Sequence, residues 1–425
     1  METEPRGIRY QSEHFDKVQG IMHYVNEETL LQEHRKQNRK KASGIDGVTK
    51  DEYGENLSEN ISNLVERMKK FQYRPQAVRR TYIPKPNGKM RPLGILAYED
   101  KLVQAVMADV LSEVYEPRFR DESYGFRPRR GAHDAVAKVN QAIMFESINW
   151  VLEADIKSFF DTIDQDVLME LLKQDIDDKN FLRYVKRFLK AGIVENGTFE
   201  DSDRGVAQGG GLSPILGNVY LHYALDTWFC EQIKPLMRGK TEYVRFADDF
   251  IILFQEERDA RRVMEVLGKR LAKFGLELAE DKTRIVPIGR KSKTKDTFDF
   301  LGFTFYNTKA RSGRYRLGIK TSNKKLKTKH LQVKQWARSR INLPVHETME
   351  IAQKAIIGHF NYYGVNGNIG ALDKFEDYVK STVKRTLCRR SQKGYMTWEK
   401  FERMWRYYEV SPRVTKNIWN WQPVY

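Results

Sequence analysis

The sequence predicts an α+β protein whose strands lie in the first three quarters of the chain and whose last quarter is helical. Apolar runs such as "NWVLEAD" and "FIILF", bounded by turn residues, predict strands. Apolar residues that recur every three to four positions in other segments predict helices. The α+β part is expected over roughly residues 70 to 310, with further boundaries near 320 and 390.

The N-terminal part contains both kinds of pattern. Residues 12–41 predict one polar helix that ends in the basic cluster "RKQNRKK". Residues 73–96 predict two short strands with "KPNGK" as the turn between them. Over about 99–116 the apolar positions repeat with helical spacing, which predicts an amphipathic helix.

The central part alternates strands and helices. "NWVLEADIKSFFDTI" is expected to begin as a buried strand and to become helical after about residue 157. "VRFADDFIILF" predicts strand, turn and strand. An amphipathic helix follows and ends at a glycine near residue 275. "TFDFLGFTFYNTKARSGRYRLGI" then predicts a second hairpin with "RSGR" at its tip.

Composition excludes several classes of protein. The chain has 425 residues, enough for two or three domains at roughly 100–200 residues each. No apolar run approaches the roughly 18 residues of a membrane helix, and the N-terminus does not resemble a secretory signal. Cys230 and Cys388 are far apart, which argues against a disulfide scaffold and a zinc module. These features predict a cytoplasmic protein that makes no contact with membranes.

The charge of the chain is strongly positive and unevenly distributed. The net charge is +17, and residues 321–425 contain 20 Lys plus Arg against 8 Asp plus Glu. The same quarter contains 15 of the 50 aromatic residues. A solvated basic surface is the alternative explanation. Because the bias extends over a whole quarter of the chain, nucleic-acid binding is favoured.

Two adjacent aspartates, Asp248 and Asp249, interrupt an apolar stretch. Taken alone, the pair fits a hairpin turn slightly better than a metal site. A strand that ends at Asp155 and this hairpin, if they share one antiparallel sheet, would bring three carboxylates together. Two-metal phosphoryl transfer needs such oxygen ligands for ions roughly 3.5–4 Å apart.

Other residues fit the same chemistry, each with a plainer alternative. Lys85 and Arg91 flank the "KPNGK" turn and could meet triphosphate oxygens, or form an ordinary charged turn. Gln208 lies in "AQGGGLSP", which could approach a nucleotide or simply connect two segments. Phe160 would lie beside the sugar if Asp155 binds metal, although most such residues belong to a core.

Several motifs occur together in a fixed order over roughly residues 35–405. They are "SGIDGV", "YRPQAVRRTYIPKPNGKMRPLGI", "SYGFRP", "ADIKSFFDTID", "AQGGGLSPILGNVYLHYALD", "RFADDFIIL", "LELAEDKTRI", "FLGFTF" and "GHFNYYGVNGN". As an ordered set they resemble a group II intron-encoded reverse transcriptase/maturase. A plain RNA-binding protein without chemistry would have to reach this set by accident.

The resemblance implies a right-hand polymerase with an antiparallel-sheet palm, mixed fingers, an α-helical thumb and a small C-terminal DNA-binding region. The "SGIDGV" extension would clasp the template, and "FLGF" would be the primer grip. The implied domains are 1–145 (N-terminal extension and fingers), 146–319 (palm with part of the fingers), 320–390 (thumb/maturase domain) and 391–425 (C-terminal DNA-binding region).

The resemblance also implies a role for each site residue. Asp155, Asp248 and Asp249, with the Ile156 carbonyl, would bind Mg²⁺, with Mn²⁺ as the alternative ion. The residues expected around the dNTP are Lys85 and Arg91 at the triphosphate, Phe160 as the gate against ribonucleotides, Gln208 in the pocket, and Lys282 as an acid for the leaving group.

The thumb is implied to bind nucleic acid through the basic segment "KKLKTKHLQVKQWARSR". The implied partners are the group II intron RNA, an RNA template paired with a DNA primer, target DNA and dNTPs, and the implied role includes splicing and retrohoming. Oligomeric state is left open. The basic residues expected to contact nucleic acid are Lys324, Lys325, Lys327, Lys329, Lys334, Arg338 and Arg340.

The chain departs from the family pattern at two positions. Phe246 replaces the usual Tyr before Ala-Asp-Asp, and Ala207 replaces the usual Pro before Gln-Gly. No His- and Cys-bearing endonuclease motif follows the last basic segment, so priming by another source is expected. Two alternatives within the lineage stay open: a splicing-only maturase, and a domesticated or defence-associated reverse transcriptase.

Overall fold

The computed structural model describes residues 6–84, 90–201, 203–207, 209–292, 294–390, 394–408 and 413–421. The α-helices are α1 (Arg6–His14), α2 (Glu27–Lys36), α3 (Lys50–Glu55), α4 (Leu57–Lys69), α5 (Tyr98–Tyr115), α6 (Ala132–Phe145), α7 (Phe159–Thr162), α8 (Gln165–Asp175), α9 (Lys179–Leu189), α10 (Ser213–Leu221), α11 (Glu257–Ala272), α12 (Asn323–Ser339), α13 (Val345–Tyr363), α14 (Ile369–Cys388) and α15 (Trp398–Tyr407). The strands are β1 (Val18–Gln19), β2 (Val78–Pro84), β3 (Met90–Ile95), β4 (Trp150–Asp155), β5 (Ile176–Asp177), β6 (Ile193–Glu195), β7 (Thr198–Glu200), β8 (Thr241–Phe246), β9 (Asp249–Phe254), β10 (Arg284–Pro287), β11 (Thr297–Phe300), β12 (Phe303–Lys309) and β13 (Tyr315–Thr321).

A four-stranded antiparallel sheet, in the order β10-β4-β9-β8, occupies the centre of the chain. Both faces of this sheet are buried at β9, which explains why β9 is continuously apolar after Asp249 instead of alternating. Val151 and Ile251 lie in a core that includes residues of α6 and α13. Leu152 and Ile252 lie in a second core with residues of α5, α10 and α11. The predicted strand-turn-strand over 244–254 is confirmed.

The described residues form three other sheets, of four, three and two strands. β2 and β3 form the first predicted hairpin, and the sheet extends through β6 to β7; the "KPNGK" turn at 85–89 lies outside the described residues. β12 and β13 form the second predicted hairpin, and β11 adds a third strand that the sequence did not indicate. β1 and β5 form a short parallel pair.

The prediction of one helix over residues 12–41 is wrong. α1 ends at His14, and α2 begins only at Glu27, after Asn26 caps it through the backbone N–H of Thr29. Between them Gly20 adopts a left-handed conformation (φ 62°), which no helix continues. The interruption lets Val18 and Gln19 pair with β5, so a contact distant in sequence overrides the local pattern.

The last quarter is helical, as predicted. α14 packs against both α12 and α13. The segment after α15 returns to the sheet-bearing part, where the Trp421 indole N–H donates to Asp134 on α6 at 2.6 Å and Ile418 is fully buried. In the described part of the chain, no helix combines the length and the apolar character needed to cross a membrane. The domain boundaries at 145, 319 and 390 stay predictions.

Candidate active site

Three aspartates meet at one end of the central sheet. Asp155 is the last residue of β4 and pairs directly with Asp249, the first residue of β9. Asp248 belongs to the two-residue turn between β8 and β9. All three line a single cavity of about 1340 Å³. The antiparallel register therefore brings together carboxylates that are more than 90 positions apart in sequence.

The pKa values of two of the carboxylates, Asp248 and Asp249, are raised. Burial raises the pKa of Asp248, and the negative charge of Asp155 adds to the effect. The Asp249 side chain is accessible to water, but protein atoms around the cavity displace much of its hydration, and with the charges of Asp248 and Asp155 this raises its pKa to about 6. The ionised carboxylates are therefore destabilised unless positive charge nearby offsets their mutual repulsion.

Lys282 supplies part of that offset. Its ammonium donates a hydrogen bond to Asp155 Oδ2, and this bond raises the pKa of Lys282. The two residues are 127 positions apart, and the 3₁₀ turn Glu280–Lys282 brings them together. The structure thus places Lys282 at the carboxylates, and its role as an acid for the leaving group stays a prediction.

The donor set fits a divalent ion held in an open site. Across the described ranges, no group of three or more Asp, Glu, His and Cys side chains is arranged to hold a metal ion by itself. Hard cations such as Mg²⁺ keep water and substrate oxygens among their ligands, so a few shared carboxylates suffice. Ile156 forms an isolated antiparallel bridge with Leu278. The hydrogen bonds of this bridge are made by the neighbouring residues, the Asp155 carbonyl and the Lys157 N–H, so the Ile156 carbonyl takes no part in them. It therefore stays a candidate ligand.

Of the residues predicted to surround a nucleotide, Arg91, Phe160 and Lys282 line the carboxylate cavity. Lys85 and Gln208 lie outside the described residues. Gly209, beside Gln208, has φ 104°, and a side chain there would lie 2.8 Å from the Gly94 carbonyl oxygen. Only glycine fits this approach between the loop and β3.

The Phe160 ring is held firmly in place. It packs edge-on against Phe159 at 5.1 Å between ring centroids. A Cβ at Gly217 would lie 3.0 Å from the ring. The absence of a side chain at this position of α10 therefore lets the ring pack closely against the helix backbone. The Phe160 carbonyl accepts a hydrogen bond from the Val206 backbone N–H at 2.8 Å. The ring therefore forms a fixed part of the cavity wall.

The sequence reasoning missed Phe126, which follows the glycine of "SYGFRP". Its side chain lines the carboxylate cavity, is 54% exposed and has φ 56°. The ring lies 6.5 Å from that of Phe246. An exposed aromatic in a strained conformation is uncommon. The motif was visible in the sequence, but nothing local indicated that this residue lines the same cavity as Asp248.

The sequence reasoning also missed the structure of the aspartate turn. Ala247, the first residue of the turn, has φ 56°. Two-residue hairpins with positive φ at this position normally use glycine, and the left-handed conformation costs an alanine about 1–2 kcal/mol. Arg245, Asp226 and Asn218 lie buried beneath the turn. An arginine within an apolar strand is the signal that could have drawn attention to them.

The seven predicted basic residues lie on or just beyond α12, and all are exposed. Within the described part of the chain, none of them forms an ion pair with a carboxylate. Lys324 and Lys325 line a second cavity of about 580 Å³ that also borders Asp155 and Asp249. The exposed positive charge of α12 is thus continuous with the carboxylate site.

Comparisons with known proteins agree with this geometry. The family described as "Reverse transcriptase (RNA-dependent DNA polymerase)" matches residues 83–305. The group II intron-encoded protein LtrA of Lactococcus lactis subsp. cremoris is 31% identical over 324 residues, which cover 75% of this chain and 51% of LtrA. The chain thus spans about half the length of that relative.

Two further relatives extend the comparison. Protein YkfC of Escherichia coli (strain K12) is 31% identical over 306 residues, covering 64% of this chain and 78% of YkfC. The mitochondrial nuclear intron maturase 1 of Arabidopsis thaliana is 29% identical over 93 residues, covering 22% of this chain and 13% of the maturase. The residues matched by the reverse transcriptase family, 83–305, include all three aspartates.

Proposed function

Because the chain belongs to the reverse transcriptase family, in the lineage encoded by group II introns, we propose that it is an RNA-directed DNA polymerase that extends a primer 3′-hydroxyl on an RNA template. The observation that carries the proposal is the meeting of Asp155, Asp248 and Asp249 in one cavity with Arg91. The same cavity is large enough, at about 1340 Å³, for a nucleotide and the end of a primer.

The proposed mechanism assigns a task to each part of the cavity. Asp155, Asp248 and Asp249 would hold the divalent ions. A bound Mg²⁺ would lower the pKa of the primer hydroxyl and stabilise charge on the triphosphate. Arg91 orients the triphosphate through its guanidinium. Lys282, hydrogen-bonded to Asp155, carries a proton that it can donate to the departing pyrophosphate.

The right-hand arrangement follows from the same assignment. The central sheet would be the palm, because it carries the carboxylates. The β2–β3 hairpin would belong to the fingers, since Arg91 reaches the cavity from β3. Helices α12 to α14 would form the thumb beside the second cavity, and residues 391–425 would contact target DNA.

A second proposed activity is binding of a group II intron RNA to assist splicing and retrohoming. Its support is the row of exposed basic residues on α12, which have no carboxylate partners within the described ranges. The names of several relatives, including an intron-encoded protein and an intron maturase, agree with this activity. The names also favour an intron-associated protein over a domesticated or defence-associated one.

Affinity for intron RNA is expected to fall steeply with salt. If the seven basic residues of the α12 segment contact phosphates, log K should fall with log[KCl] with a slope of about −5 to −6, because each neutralised phosphate releases counterions. Filter binding between about 50 and 200 mM KCl measures the slope. Lys327→Gln should reduce the slope by about one unit, whereas a flat salt response would contradict the assignment.

Primer extension tests the polymerase proposal directly. The assay uses a long RNA template, a DNA primer, Mg²⁺ and dNTPs, and compares the natural chain with Asp248→Ala/Asp249→Ala. Product from the natural chain alone supports an RNA-directed DNA polymerase. If neither protein makes product while both bind RNA tightly, the splicing-only alternative is favoured, and Phe246 and Ala207 become the first residues to revert to Tyr and Pro.

A further inference from the structure

Arg245 is the largest fully buried side chain in the described part of the chain, and it forms a complete ion pair. Its Nε and Nη2 donate to the two oxygens of Asp226 at 2.7 and 2.5 Å. Asp226 is also fully buried, and it accepts a third hydrogen bond from the Tyr243 hydroxyl at 2.8 Å. The pair is therefore bidentate and shielded from water.

The remaining nitrogen of Arg245 connects this pair to the aspartate turn. Nη1 donates to the Ala247 carbonyl oxygen at 3.0 Å and to Asn218 Oδ1 at 2.9 Å. Asn218 in turn donates through Nδ2 to the Gly125 carbonyl at 2.7 Å. Ala247 is the residue with φ 56° that immediately precedes Asp248. One guanidinium thus contacts the strained residue of the turn directly.

The loop that contains Gly125 also packs against the turn. A Cβ on Gly125 would lie 2.3 Å from the Ala247 backbone nitrogen, so any side chain there would displace the turn. The Tyr124 backbone N–H donates to the Arg245 carbonyl at 2.8 Å, and the Arg245 N–H donates to the Glu122 carbonyl at 2.9 Å. The loop and the buried ion pair together leave Ala247 little freedom to change conformation.

We propose that Arg245, held by Asp226 and Asn218, is a positioning residue that fixes the left-handed turn at Ala247 and so directs the Asp248 carboxylate into the cavity. The expected effect on catalysis rests on the proposed polymerase function, whereas the hydrogen bonds around the turn do not depend on it. A turn "Ala-Asp" without glycine would otherwise relax to other conformations. The hydrogen bond to the Ala247 carbonyl selects the one that places Asp248 beside Asp155.

The first test replaces Arg245 by lysine. Lysine keeps the positive charge beside Asp226. It lacks the planar guanidinium, so its single ammonium cannot bind Asp226 and at the same time donate to Asn218 and the Ala247 carbonyl. We expect kcat for primer extension to fall about 10–100-fold, as for a small displacement of a reacting group. We also expect Mn²⁺ affinity to weaken about tenfold, the range typical of groups that orient metal ligands.

Binding of Mn²⁺ supplies a readout that needs no turnover. The electron paramagnetic resonance signal of free Mn²⁺ is titrated with protein in the presence of an RNA–DNA duplex. If the natural chain binds Mn²⁺ but extends no primer, the polymerase proposal fails while the positioning proposal can still be tested. If Arg245→Lys binds Mn²⁺ as tightly as the natural chain and keeps its kcat, the positioning proposal is wrong.

A rescue variant separates positioning from stability. Glycine adopts positive φ without penalty, so Ala247→Gly in the Arg245→Lys background should recover much of the lost Mn²⁺ affinity. Tyr243→Phe is the matched control, because it removes one hydrogen bond to Asp226 and no contact with the turn. It should lower the melting temperature slightly and leave Mn²⁺ affinity unchanged. A loss of affinity in Tyr243→Phe equal to that in Arg245→Lys would overturn the proposal.

Asn218→Ala is a second test of the proposal, to be used if Arg245→Lys fails to fold. It leaves the Arg245–Asp226 pair intact and removes only the link from Nη1 to the Gly125 carbonyl. The proposal expects weaker Mn²⁺ binding here as well, by a smaller factor, with the melting temperature only modestly lowered. Unchanged Mn²⁺ binding in a folded Asn218→Ala protein would count against the role of the network.

Discussion

Asp248→Ala is expected to abolish synthesis of cDNA while leaving RNA binding intact. The substitution removes a carboxylate that lines the cavity beside Asp155 and Asp249, and with it an oxygen ligand for the divalent ion. We expect the rate of primer extension to fall by on the order of 10³-fold or more, the range that follows removal of a main electrostatic contact to the transition state. Single-turnover primer extension at saturating dNTP measures the loss.

A control for this experiment lies in the same cavity. Glu277 also lines it, but its carboxylate is exposed and pairs with Lys157 at 3.3 Å. Glu277→Gln therefore removes one negative charge near the site without removing a member of the aspartate group, and should retain most activity. The seven basic residues of the α12 segment are untouched in both variants, so RNA affinity should be the same. Full-length cDNA from Asp248→Ala would show that Asp248 is not a metal ligand.

The meeting of the three aspartates could be predicted from sequence because each lies at the end of a recognisable strand or in a recognisable hairpin turn. A strand ending at Asp155 and a hairpin containing Asp248 need only be neighbours in one antiparallel sheet to bring the carboxylates together, and β4 and β9 are such neighbours. The continuous apolar stretch of β9 also follows from simple patterning, since both sheet faces are buried.

Other features depend on contacts that no local pattern encodes. The break between α1 and α2 exists because Val18 pairs with Ile176, more than 150 positions away. The Arg245–Asp226 pair joins a strand to a π-helical segment, and only their burial together makes an arginine suitable for that strand. Such features require knowledge of which segments pack together, which periodicity does not supply.

Phe160→Ala is expected to admit ribonucleotides. The ring forms a fixed part of the cavity wall, because Phe159 and the backbone of Gly217 hold it from behind. A ribose 2′-hydroxyl that pressed against the ring would cause overpacking worth about 1–3 kcal/mol, which corresponds to roughly 5–150-fold in rate. Removing the ring should reduce the preference for dNTP over rNTP by that factor.

The measurement is the ratio of kcat/KM for dCTP and CTP in single-nucleotide extension. Phe160→Tyr keeps the ring and should keep the discrimination, so it controls for altered loop packing. Phe126→Ala removes a second, exposed aromatic from the same cavity and should leave the ratio unchanged if the effect is specific to Phe160. Since Phe160 is half-buried, the melting temperature is recorded for each variant. If Phe160→Ala keeps the natural ratio while it remains folded and active, the ring is a packing residue and sugar selection must come from another part of the cavity wall.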